Sequence, residues 1–310
     1  MRKITFALLL LVSSLCFANV PPESSLNFKG SVFSYFSNHS LDQRNDKIEQ
    51  LIIVVHGSER NADTYFRSVF SMANKLGRGE STFIISPHFK EPQDIKHPAE
   101  LIWTSEGWLR GDQALTNPTV SSFEVVENFV NLLAEKTLFP NLKKIVITGH
   151  SAGGQLAQRF AIGSKLEDKY SHLQFRYIVA NPGSYAYLTR TRPIALPENS
   201  TCAFNNYKYG LDNLNLFMSR NESVEEMNNR YVARNVVYLI GENDTIAEGI
   251  DQDCPARVQG LNRLVRGYNF KKILDQEFPE NIHEIYTVPG VGHTQWGIYT
   301  SEIGVQQLFN

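Results

Sequence analysis

Residues 144–160 constrain the fold more than any other stretch. Ile145-Val146-Ile147-Thr148 is a β-branched run too short for a helix, so it predicts a buried strand. Leu156, Ala157 and Phe160 recur at helical spacing directly afterwards. Between them stands Gly149-His150-Ser151-Ala152-Gly153-Gly154. A strand that becomes a helix within so few residues needs a sharp turn, and glycine lets neighbouring backbone approach without an obstructing Cβ. Such a turn lifts the Ser151 hydroxyl to the strand end and the helix N-terminus, where free N–H groups can receive developing negative charge. The same pentapeptide also serves purely structural turns, so the rest of the chain must supply partners for Ser151.

Other apolar runs repeat the pattern. Residues 51–55, 82–85, 175–180, 236–240 and 285–288 read as strands, with an earlier alternating strand at 31–36 after a polar lead-in at 21–27. Helical periodicity covers 61–76, 121–138 and 259–276, and a closing helix runs from 295 or 296 to 308. This alternation is that of an α/β chain whose mostly parallel sheet is covered by helices on both faces. In such sheets ligands bind beyond the carboxyl ends of the strands. His56, Ser151 and Asn181 each follow a strand directly, which puts them on that edge. Residues 88–118 form a long irregular segment, in which Trp103 and Trp108 either line a cleft or pack beneath the loop.

Two further strand ends offer partners for a serine hydroxyl. Gly241-Glu242-Asn243-Asp244-Thr245 places a carboxylate where it can orient an imidazole; Asp244 is the candidate, with Glu242, Asp251 and Asp253 as rivals. Pro289-Gly290-Val291-Gly292-His293 follows the last strand, and a neutral imidazole there can take a proton from Ser151 and return it. After the strand at 51–55, His56-Gly57-Ser58 allows a tight bend. The backbone N–H groups of Ser58 and Ala152 are the candidate donors for an oxyanion.

The N-terminus reads differently from the rest. Arg2 and Lys3 precede an apolar run at 4–12, and Cys16-Phe17-Ala18 offers a cleavage site, so residues 1–18 read as a secretory signal peptide. Removing it changes the formal charge from −2 to −4, a balance that advertises neither nucleic acid nor anionic membrane as partner. Residues 19–310 then form a single domain, with an insertion rich in Tyr and Asn at 184–234 expected to fold over the site as a lid. Export leaves Cys202 and Cys254, an even pair in an oxidising compartment, which predicts one disulfide. No membrane-spanning segment is expected in the mature chain, and the pattern calls for no cofactor or metal.

Taken together, His56-Gly57, Gly149-His150-Ser151-Ala152-Gly153, Gly241-x-x-Asp244 and Gly290-x-Gly292-His293 resemble the α/β-hydrolase superfamily, in that family's chain order. The resemblance covers nearly all of the mature sequence. It implies Ser151 as nucleophile, His293 as general base and then acid, and Asp244 as the orienting carboxylate. Ser58 and Glu59 stand where lipase-type members carry further glycines. The implied activity is that of a secreted or periplasmic serine hydrolase acting on small or polymeric carboxylic esters. A peptidase or amidase on the same three residues, or a non-catalytic binding protein of this fold, are the alternatives.

Overall fold

The structure, a computed structural model, describes residues 21–310; the expected signal peptide at 1–18 lies outside the described residues. Eight strands form one sheet in the order β1-β2-β4-β3-β5-β6-β7-β8. They are β1 (Ser24–Phe28), β2 (Ser31–Ser37), β3 (Gln50–Val55) and β4 (Thr82–Pro87), then β5 (Lys144–His150), β6 (Gln174–Ala180), β7 (Val236–Gly241) and β8 (Glu284–Val288). From β4 to β8 every neighbouring pair is parallel, whereas β1 and β2 add on antiparallel at one edge.

Residues one apart in the central strands point to opposite faces, and each face has its own helical cover. Leu51, Ile53, Val55, Ile145 and Ile147 meet α3 (Ser122–Ala134), α4 (Ala152–Gly163), α6 (Val224–Val232) and α8 (Arg263–Glu277). Ile52, Val54, Val146, Ile178 and Val237 meet α1 (Ala62–Lys75), α9 (Gln295–Thr300) and α10 (Glu302–Phe309). Burial on both faces is why these strands read as unbroken apolar runs. Three single turns of helix complete the set: α2 (Gly107–Arg110), α5 (Leu166–Lys169) and α7 (Cys254–Arg257).

Several boundaries differ from the sequence reading, each for a local reason. The polar lead-in at 21–27 runs into β1 (Ser24–Phe28), an edge strand whose side chains alternate between half-buried and exposed and so carry no apolar signature. The closing helix is two helices, because Ser301 turns its hydroxyl to the Gly304 N–H (2.9 Å) and caps α10. The helix expected over 259–276 begins at Arg263, where Asn262 accepts from the Val265 N–H at 2.9 Å.

Trp103 and Trp108 are fully buried beneath their loop, and Trp108 stacks on Phe89 at 5.7 Å. Residues 184–234 also pack inward. Tyr185 stacks on Phe270 of α8 at 4.5 Å, Arg159 of α4 donates to the Lys208 carbonyl at 3.1 Å, and Tyr207 donates to the Arg110 carbonyl at 2.6 Å. A Cys202–Cys254 disulfide ties the segment to α7. Among the described residues no helix is long and apolar enough to cross a membrane.

Candidate active site

The chain moves outward from the sheet centre towards β4 after β3, then returns to the other side of β3 with β5. A crevice opens at such a reversal, beyond the carboxyl ends of the two strands. β5 ends at His150 and α4 starts at Ala152, so Ser151 is the whole turn. It has φ 60° and ψ −119°, a conformation that L side chains rarely adopt. Close packing enforces it: a Cβ on Gly153 would collide with the carbonyl oxygens of Val55 and His56, so α4 starts directly against β3.

Ser151, His293 and Asp244, distant in sequence, form one hydrogen-bonded chain. His293 Nε2 lies 3.0 Å from Ser151 Oγ, and His293 Nδ1 lies 2.7 Å from Asp244 Oδ2. The carboxylate accepts only, so Nδ1 carries the proton and Nε2 presents its lone pair to the hydroxyl. The Asp244 side chain is fully buried, while that of His293 is 30% exposed. Backbone bonds fix the acid: Asp244 N–H donates to the Gly241 carbonyl (3.1 Å), and Leu264 N–H, in the first turn of α8, donates to the Asp244 carbonyl (3.2 Å). The rival carboxylates are occupied elsewhere. Glu242 accepts from Gly290 N–H at 2.7 Å, and Asp251 and Asp253 both accept from the Tyr209 hydroxyl, at 2.9 and 3.0 Å.

A second layer of polar groups lies under this chain and links three strand ends to α1. Gly241 N–H donates to Asn181 Oδ1 at 2.8 Å, which turns the Asn181 amide nitrogen towards His150 Nε2 at 3.3 Å. His150 Nδ1 then faces the Tyr65 hydroxyl at 3.3 Å. The His150 ring lies 4.5 Å from that of His293, with the planes 34° apart. Burial, and next the neighbouring His293, hold His150 well below the ordinary imidazole range, so it stays neutral. His56 is also fully buried, its Nε2 accepting from Phe89 N–H at 3.0 Å and its Nδ1–H donating to the Gly57 carbonyl at 2.8 Å. Burial pushes its pKa down to about 3.

The loop after β3 crosses directly beside the turn: a Cβ on Gly57 would stand 2.7 Å from the Tyr65 hydroxyl and 3.6 Å from Ser151 Cβ. Arg60 shapes the loop by donating to the Ser58 carbonyl at 2.9 Å, while Asp94 and Glu91 hold its guanidinium at 2.7 and 3.0 Å. Among the described residues, neither the Ser58 N–H nor the Ala152 N–H donates to a protein acceptor. Ala152 opens α4, where the first N–H groups of a helix have no internal partner. The cleft above Ser151 has a volume of about 250 Å³. Gly57, Ser58, Glu59 and Asn61 line it, as do His293, Thr294 and Gln295. No residue of 184–234 lines it, because that segment packs on α4 and α8 instead.

Tyr65, Asn181, His150 and Arg263 were not singled out as site residues from sequence. Asn181 had a visible signal, since it directly follows a strand on the functional edge. Tyr65 sits among the apolar positions of α1, and nothing in the spacing separates it from a core residue.

No protein-family model matches the sequence, and no curated protein matches it. Solved structures do share the backbone. A poly(aspartic acid) hydrolase-1 from Sphingomonas sp. KT-1 matches with a TM-score of 0.66 at 18% identity, covering 94% of this chain and 100% of that one. A poly(3-hydroxybutyrate) depolymerase from Bordetella parapertussis matches with a TM-score of 0.66 at 19% identity, covering 93% and 89%. At such identities the likeness is one of fold, and the fold is that of the α/β-hydrolases.

Proposed function

We propose that this α/β-hydrolase-fold chain is an exported serine hydrolase that cleaves carboxylic esters through an acyl-enzyme on Ser151. The observation that carries the reading is the unbroken hydrogen-bonded chain from Ser151 Oγ through His293 to buried Asp244, set at a helix N-terminus. His293 Nε2 takes the hydroxyl proton as Oγ bonds to the acyl carbon, and the carbonyl π pair moves onto oxygen. The N–H groups of Ala152 and Ser58 receive that oxyanion. As the pair returns, the bond to the alkoxide breaks and His293 protonates the leaving alcohol. Water then repeats the sequence, releasing the acid and restoring Ser151. Asp244 keeps the proton on Nδ1 and stabilises the imidazolium that forms twice per turnover.

Both similar structures bear the names of polymer-degrading enzymes, which supports hydrolysis in general and leaves the bond and the polymer open. Export rests on the residue 1–18 leader read from sequence and is consistent with the Cys202–Cys254 disulfide. The test is turnover of a simple acetate ester by the purified mature chain, compared with Ser151→Ala. Activity confined to the unsubstituted chain supports the reading; equal activity in both removes Ser151 from the chemistry.

A further inference from the structure

The cleft is unusual in what its walls lack. Among the described residues no Leu, Ile, Val, Met or Phe lines it, and no Lys or Arg does. The nearby cation, Arg60, is fully committed to Asp94, Glu91 and the Ser58 carbonyl. What remains is polar: the hydroxyls of Ser58 and Thr294, the amides of Asn61 and Gln295, and the carboxylate of Glu59. The exposed Glu59 carboxylate has no ion pair among the described residues; its one partner is the Asn61 amide, whose Nδ2 donates to Oε2 at 3.2 Å. That bond fixes the Asn61 amide orientation, with Oδ1 buried and without a partner among the described residues. The Gln295 Oε1 accepts from Ser68 Oγ at 2.5 Å, which leaves the Gln295 amide N–H groups as donors.

We propose that this cleft selects short, hydrophilic esters, with a positively charged group preferred over a neutral or anionic one. The inference rests on the hydrolase reading above and adds the substrate class. Its first half follows from the missing apolar wall. A lengthening acyl chain raises affinity only where each methylene leaves water, at about 0.8 kcal/mol per buried CH₂. With no aliphatic side chain on these walls among the described residues, methylenes added within the cleft gain little such burial. Its second half follows from Glu59, the one carboxylate on the walls among the described residues. A cation beside an exposed carboxylate gains a modest, salt-sensitive attraction, and an anion meets the same term with opposite sign. An anionic polymer is therefore a poor occupant, whatever the fold shares with enzymes named for one.

The test uses matched esters in which a trimethylammonium group is replaced by a tert-butyl group of the same shape. Acetylcholine against 3,3-dimethylbutyl acetate places the charge on the alcohol side. Methyl 4-(trimethylammonio)butanoate against methyl 5,5-dimethylhexanoate places it on the acyl side. For at least one pair, Glu59→Gln should lower the ratio of kcat/KM, cationic over neutral, by about three- to tenfold, and 0.5 M salt should do the same to the unsubstituted chain. Across acetate, butyrate and octanoate esters kcat/KM should stay level or fall. Ratios unmoved by Glu59→Gln in both pairs, or kcat/KM climbing steadily with chain length, overturn the proposal. Absence of turnover on every ester, indistinguishable from Ser151→Ala, overturns the hydrolase reading and takes this inference with it.

Discussion

The guanidinium of Arg263 stands 3.5 Å from Asp244 Oδ1, the carboxylate oxygen that His293 does not use. Both side chains are buried, and Oδ1 has no hydrogen-bond partner among the described residues. Arg263 opens α8 and also donates to the Gly249 carbonyl at 3.0 Å, so one side chain spans the loop that carries the acid. A lone buried carboxylate is costly, and an adjacent cation offsets that cost.

Arg263→Gln should therefore lower kcat by about tenfold with KM little changed, because the carboxylate that orients His293 loses its charged neighbour. Arg263→Lys should restore most of the rate. An unchanged kcat in Arg263→Gln, with thermal stability alone reduced, would assign Arg263 a merely structural part.

His150 is expected to position His293 through ring contact, without touching substrate. His150→Ala removes the surface against which the His293 imidazole rests and frees Asn181 and Tyr65. A misplacement of about 1 Å near reacting atoms costs on the order of 10²-fold. The loss should fall in kcat, with KM little changed, and His150→Phe should recover part of it. An unaltered kcat in the alanine variant would remove this role.

Acid should destabilise the fold through its buried histidines. Burial lowers His56 to about 3 and His283 to about 4, while an unfolded chain's imidazoles bind protons below about 6.5. Between those values the unfolded state binds more protons than the folded one, so stability falls as pH drops from about 6.5 towards 4. The slope is up to about 1.4 kcal/mol per pH unit for each histidine. Thermal midpoints measured from pH 7 to pH 4.5 should fall progressively, and less steeply in His283→Gln. A midpoint flat across that range would contradict the buried neutral assignment.

Cys202→Ser combined with Cys254→Ser should cost about 2–4 kcal/mol of stability, because the bridge closes a loop of 52 residues. That corresponds to a drop in thermal midpoint of about 3–7 °C. Ester turnover at 25 °C should change little, since neither cysteine lines the cleft. A midpoint unchanged by the double substitution would show that packing of residues 184–234 alone holds the segment.

The strands β3 to β7 were legible because they are largely buried on both faces and so read as short apolar blocks, as Leu51 to Val55 does. The sharp turn at Ser151 was legible because several small residues crowd the strand–helix junction. β1 was not, since an antiparallel edge strand with half-exposed side chains has no such block. The fate of 184–234 was hidden for a different reason. Tyr185, Tyr187 and Asn205 have the composition of a binding loop, but their partners, Phe270 among them, are tertiary and leave no local periodicity. Arg263 was invisible likewise: an arginine at the start of a helix gives no sign that it turns back onto a carboxylate 19 positions earlier.

Covalent capture tests the central claim most directly. The mature chain treated with a fluorophosphonate should gain the mass of one phosphonyl group, and peptide mapping should place it on Ser151. His293→Ala should react slower on the order of 10⁴-fold, and Ser151→Ala should gain no mass. Modification of Ser151→Ala at the rate of the unsubstituted chain, or a phosphonyl group mapped to another residue, would contradict the account.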